Sequence, residues 1–202
     1  MKLVQKRARP YSLQDMLDIF ECRVEVWQLG PAANLLKELE KRKPGGTSAW
    51  AHSAYSLIAM LLFYFEMIGK TLNSRSPKPS LDFNHGFCDV YPKFNPECKK
   101  PTDHNLPAVK AFRDRLRNGL YHLGHTKQGL FIHNEPRSVY PEDFSVDEKE
   151  IPAKFMVNPH SMARTIIGHF PGFMSRLRDE NTELDDLRSQ FKRFFKDFHR
   201  GS

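Results

Sequence analysis

The chain has 202 residues, 40% of them hydrophobic, with 31 Lys and Arg against 24 Asp and Glu, a formal net charge of +7 and a sequence pI near 9.3. That length suits one domain with a sizeable core, and the positive balance favours anionic partners. Cys22, Cys88 and Cys98 cannot all pair within one chain, and the opening Met1–Arg7 lacks the apolar core of a secretory leader, so a cytoplasmic setting is expected.

Ser12-Leu-Gln-Asp15 has the form of a capping box, and Leu13, Met16, Leu17, Phe20, Val24 and Trp27 continue it as a helical stripe to about Gln28. Gly30-Pro31 is expected to break that helix. A second helix then carries Leu35, Leu36 and Leu39, and Pro44-Gly45-Gly46 closes an N-terminal helical hairpin over 1–46. Thr47 or Ser48 opens the most apolar segment, unbroken from Leu57 to Phe65. A bilayer needs about 18 or more such residues, so the expectation is a central core helix and no membrane. Residues 73–105 read as a long connector rich in Pro, Asn, Asp and Lys, with Phe83, Phe87, Tyr91 and Phe94 pinning it to the bundle. His85, Cys88, Cys98 and His104 have spacings near those of zinc ligands, but buried Cys and ordinary His account for them as well, and no metal is assigned.

Asn105 and Pro107 then start an amphipathic helix over 106–123, with Val109, Phe112, Leu116, Leu120 and Leu123 as one stripe and Gly124 at its end. Beyond it, 129–134 and 153–158 read as two strands of a β-hairpin within 125–158, flanking an acidic loop over 136–150. Asn158-Pro159 opens a helix with Met162, Ile166, Ile167 and Phe170 that Pro171 should kink or break. A last helix from about Thr182 carries Leu184, Leu187, Phe191, Phe194 and Phe195, with cations crowding its end. The sum is an all-α single domain: a bundle of at least four long helices, with the central helices in 47–124, a small β-hairpin insertion, and C-terminal helices in 159–202.

Arg117, Asn118, Tyr121 and His122 project from the 106–123 helix away from its apolar stripe, placing a cation, an amide, a phenol and an imidazole on the polar side. Arg113, Arg115 and Arg117 by themselves read as a solvated face. Arg117-Asn118-Gly119-Leu120-Tyr121-His122 also reads Arg-x4-His with a polar residue after the Arg. In this it resembles the HEPN superfamily (higher eukaryotes and prokaryotes nucleotide-binding domains), in which an Arg-x4–6-His motif sits on a bundle helix. Some HEPN branches carry Glu-x3-Lys on the preceding helix, which Glu66-Met-Ile-Gly-Lys70 resembles. The plain alternative for Glu66 and Lys70 is an ion pair one helical turn apart.

The resemblance implies a metal-independent endoribonuclease without cofactor, with Arg117 and His122 catalytic. Asn118, Tyr121, Glu66, Lys70, Arg113 and His125 would bind substrate or assist. The chemistry suits those residues. RNA brings its own nucleophile, the 2′-hydroxyl, and needs a proton carrier near neutral pH and a cation for the charge building on phosphate. Arg117 and His122 lie about 140° apart around one helix and converge poorly within a chain. In HEPN nucleases a homodimer with facing motif helices solves this, and the resemblance implies the same here. RNA is then the expected partner. The role that goes with it is that of a toxin with an antitoxin protein as partner, a phage defence effector or a housekeeping nuclease. The alternative is a non-catalytic HEPN-like module for dimerisation or for binding RNA or nucleotide.

Overall fold

A computed structural model describes residues 11–41, 48–73, 79–92, 107–123, 130–132, 139–142, 154–181 and 184–200. Helix α1 (Leu13–Val24) starts where Ser12 and Asp15 close the expected capping box: Asp15 N–H donates to Ser12 Oγ at 3.1 Å, and Ser12 N–H donates to Asp15 Oδ2 at 2.9 Å. The expected break at Gly30-Pro31 is absent. The chain instead passes through a π-helical turn, Glu25–Leu29, directly into α2 (Gly30–Glu40), so 1–46 does not form a hairpin turned at that point. Pro31 has no N–H to give to the carbonyl four residues back, and Gly30 N–H reaches five back, to Glu25 O. The wider turn shifts the phase of the stripe. Leu29 is buried, while Trp27, expected on the core side, is 68% exposed.

Helix α3 (Ser48–Leu72) is the expected central helix, and α2, α4, α5, α6 and α7 all pack against it. By length and composition its Trp50–Leu72 segment could cross a bilayer. In the fold it is the core helix, with Leu57, Ile58, Leu61, Leu62, Tyr64, Phe65 and Ile68 buried.

The connector expected over 73–105 contains a helix, α4 (Pro79–Val90). Phe83, Phe87 and Tyr91 are four residues apart and all buried, which is helical spacing and not that of a pinned loop. Pro79 suits a helix start. Phe94 lies outside the described residues. Helix α4 lies unusually close to α3, because Gly69 and Gly86 bring the two backbones together. Around that contact the rings of Phe65, Phe83 and Phe87 meet at 5.3–6.1 Å, and Phe112 of α5 (Pro107–Leu123) joins Phe87 at 5.0 Å. The α5 stripe is as expected where described: Val109, Phe112 and Leu116 are buried and Leu120 partly so.

The two expected strands exist as β1 (Leu130–Ile132) and β3 (Lys154–Val157), but they are parallel and so form no hairpin. A third strand, β2 (Val139–Glu142), comes from the stretch read as loop and pairs antiparallel with β3, in the order β1-β3-β2. Pro141 masks its sequence signal, and Pro is tolerated there because β2 is an edge strand. Phe155 of β3 meets Phe112 at 5.6 Å, which anchors the small sheet on the bundle.

Asn158 caps α6 (Pro159–Arg178) through Ser161 N–H at 3.0 Å. The helix runs on through Pro171, whose exposed ring faces solvent, so the expected break is absent. Helix α7 (Asp185–Arg200) buries Phe191, Phe194 and Phe195. Phe20 of α1 holds α6 and α7 together through Phe170, Phe191 and Phe194 at 5.3–6.2 Å. With α3, α5, α6 and α7 each 16 residues or longer, the protein is an all-α helical bundle carrying a small sheet.

Candidate functional site

Burying Leu116 against the bundle fixes the rotation of α5 and brings its neighbour Arg117 beside the last turns of α3. There Arg117 Nε–H donates to Glu66 Oε1 at 2.6 Å. Both side chains are about a quarter exposed, so the pair sits at the rim of the core, open to one side. Arg117 also donates from Nη1 to Asn118 Oδ1 at 3.2 Å, and Asn118 Nδ2 donates to Asp114 Oδ1 at 3.0 Å. Arg113 binds the same Asp114 oxygen at 3.1 Å. Arg115 turns aside and lies over the Phe155 ring at 5.3 Å.

Glu66 makes its ion pair with Arg117 across 51 residues, not with Lys70 one turn along its own helix. Lys70 is exposed. Its charge acts instead on Asp82 of α4, whose backbone carbonyl rests against Gly69. Burial pushes the Asp82 carboxyl up to about 6; Lys70 opposes that shift and Glu66 adds to it. Asp82 is 6% exposed, and its Oδ1 has no hydrogen-bond partner among the described residues.

Arg113, Asn118, Glu66, Lys70 and Arg117 are therefore gathered at the α3–α5 edge. Tyr121 and His122 belong to the last turn of α5, but their side chains, and His125 altogether, lie outside the described residues. His85 and Cys88 are buried on α4, and His85 shares a 3.2 Å hydrogen bond with Asn73 Nδ2. Cys98 and His104 lie outside the described residues. Among the described residues no group of three or more His, Cys, Asp or Glu side chains could hold a metal ion.

No match exists to any family model, curated protein or solved structure. The site is therefore read on its own chemistry: a part-buried cation held by a carboxylate and an amide, beside a second, mostly buried carboxyl. Sequence reasoning missed Asp82 because its segment read as connector.

It also missed a polar network where α3, α4 and α6 meet. Burial, with the Asp89 charge nearby, keeps the Tyr64 phenol protonated by raising its pKa well above the ordinary value. Tyr64 Oη–H can thus donate to His169 Nδ1 at 2.8 Å, and Nε2–H donates to Asp89 Oδ2 at 3.0 Å. Arg176 grips both Asp89 oxygens, at 3.0 and 2.5 Å. His169 and Arg176 are seven residues apart, two turns along one face of α6, which is the signal that could have paired them. This network joins three helices and stands apart from Arg117.

Proposed function

We propose that the protein is a metal-independent endoribonuclease of HEPN type, acting as a two-fold homodimer whose α5 helices line a shared basic cleft. The observation that carries the reading is the 2.6 Å pairing of Arg117 with Glu66, because the two segments that resemble HEPN motifs meet in space. In the reaction the RNA 2′-hydroxyl attacks the adjacent phosphorus while a base takes its proton. The bond to the 5′-oxygen breaks, and that oxygen receives a proton. The products are a 2′,3′-cyclic phosphate, which can open to a 3′-phosphate, and a 5′-hydroxyl end. His122 is the proton carrier, and Arg117, its guanidinium plane set by Glu66 and Asn118, meets the charge growing on phosphate. Tyr121, Lys70, Arg113 and His125 bind substrate or assist. A cytoplasmic setting and a toxin or phage defence role, with an antitoxin partner in the first case, go with this reading.

A part-exposed Arg117 would also serve a non-catalytic RNA- or nucleotide-binding module, which needs a cation for phosphate but no proton carrier. The test is to incubate the purified protein with mixed RNAs in chelator and identify the product ends. Cyclic-phosphate and 5′-hydroxyl ends that disappear in His122→Ala are expected. Salt-dependent RNA binding without cleavage would give the site to the binding module.

A further inference from the structure

The α3–α4 crossing delivers a carboxyl to the Arg117 site that no motif contains. Gly69 lies between Glu66 and Lys70 on α3, and the Asp82 backbone rests on it. Asp82 thus enters the same helical turn from the neighbouring helix, close enough for both Glu66 and Lys70 to act on its charge. Its Oδ1 is buried and unpartnered among the described residues. An ordinary structural carboxylate at such depth is hydrogen-bonded. Among the described residues no hydrogen bond reaches this Oδ1, so ionisation of the carboxyl is felt at Glu66 with little local screening.

We propose that Asp82 is a positioning residue of the Arg117 site, whose charge state sets, through Glu66, how much of the Arg117 charge is offered to a phosphodiester. The proposal rests on reading Arg117 as the phosphate-holding cation. As a neutral acid, Asp82 leaves Glu66 alone against Arg117 and Lys70, with a net positive charge. Ionised, it brings the four groups to neutrality, and an anion is held less well. Burial places that change near pH 6. The charges bearing on Asp82 are Glu66 and Lys70 from α3; Arg117 of α5 pairs with Glu66, and His85, one turn along α4, shares its hydrogen bond with Asn73. His169 and Arg176 of α6 face Asp89, two turns further on.

The test reads the Arg117 Nε–H resonance and the Asp carboxyl carbons by NMR of the full chain from pH 4.5 to 8, beside the affinity for a short single-stranded RNA. We expect a step in the Arg117 resonance that follows the Asp82 carboxyl and is absent from Asp82→Asn. RNA affinity should fall about 3–10-fold across the same step, as one nearby unit charge implies. Lys70→Gln, a change at an exposed position, should move the step to higher pH and serves if Asp82→Asn fails to fold. A step that persists in Asp82→Asn, or does not move in Lys70→Gln, overturns the proposal. If RNA never binds but the step behaves as expected, the reading of Arg117 as a phosphate holder fails, and the control of Arg117 by Asp82 stands without a phosphodiester to act on.

Discussion

Gly69 of α3 and Gly86 of α4 stand backbone against backbone: a Cβ on Gly69 would overlap the Asp82 carbonyl oxygen, and one on Gly86 the Phe65 carbonyl oxygen. Alanine at a helix interior normally gains about 1 kcal/mol over glycine. Here the obstacle is main chain and cannot swing away, so Gly69→Ala or Gly86→Ala must part the helices and open the Phe65–Phe83–Phe87 cluster. A loss of several kcal/mol is expected, on the scale of core overpacking or worse. Gly168→Ala on α6 meets nothing within 4 Å and should stabilise by roughly 0.5–1 kcal/mol. Denaturant midpoints of the three variants check this, and equal effects would contradict the close crossing.

Asp82 gives stability a pH dependence of definite sign. Its folded pKa, about 6, exceeds the ordinary carboxyl value of 3.8, so between those values the folded state binds more protons than the unfolded one. Stability therefore falls as pH rises from about 4 to 6 and levels off above, by at most about 3 kcal/mol for a shift of this size. Asp82→Asn lacks that loss. The melting temperature of Asp82→Asn relative to wild type should rise from pH 4 to pH 7, and a constant difference would show that Asp82 is not buried as described.

Asp89 has the opposite sign. Burial alone would raise its pKa, but hydrogen bonds from His169 and Arg176 outweigh it and hold the carboxyl below the usual range. Its contribution is present above about pH 4 and is lost as pH falls further. Asp89→Asn should cost on the order of 1.5–3 kcal/mol at pH 7, because it replaces the part-buried charged acceptor of the His169 and Arg176 hydrogen bonds. That deficit should shrink towards pH 2–3 in acid unfolding curves. Tyr64→Phe, which removes a single hydroxyl from the same network, should cost only about 1 kcal/mol.

Much of the bundle was legible because its helices carry long stripes with clear starts. The Ser12–Asp15 box, the Asn158 cap and the buried Val109–Phe112–Leu116 face lie where the sequence places them. Local rules failed where tertiary contacts decide. Gly30-Pro31 and Pro171 carry strong breaking signals, yet one is absorbed by a π turn and the other by a solvent-facing position in a packed helix. Helix α4 was missed because Pro, Asn and Gly weigh against a helix locally, although Gly86 is what lets it pack. The parallel pairing of β1 with β3 is a long-range choice that no local pattern encodes. At the site, the motif spacing found Arg117 but not its partner. Glu66 and Lys70 satisfy the one-turn rule equally well, and only the arrival of α5 decides that Glu66 turns to Arg117.

Neighbouring positions on α5 separate folding from chemistry. Leu116 is fully buried, and truncating it to Ala removes core packing worth roughly 2–5 kcal/mol. At this chain size each kcal/mol lowers the melting temperature by about 2–4 °C. Arg117 is paired but a quarter exposed, so Arg117→Ala leaves Glu66 within reach of water, and its stability cost should stay within about 1 kcal/mol. Its expected cost in RNA cleavage is on the order of 10²–10³-fold, the loss of one well-placed donor to the developing charge. His122→Ala should lose about 10²–10⁴-fold, the usual worth of a proton carrier. Glu66→Gln keeps a hydrogen-bond acceptor for Arg117 Nε–H but removes the charge, so it should tighten RNA binding while disturbing the plane of the guanidinium. Rate and melting temperature measured together decide the matter. Leu116→Ala should lose stability first, with activity following only as the protein unfolds. Arg117→Ala and His122→Ala should lose activity at nearly unchanged melting temperature. If His122→Ala stays folded and cleaves as fast as wild type, His122 is not the proton carrier, and α5 is a binding helix built around Arg117.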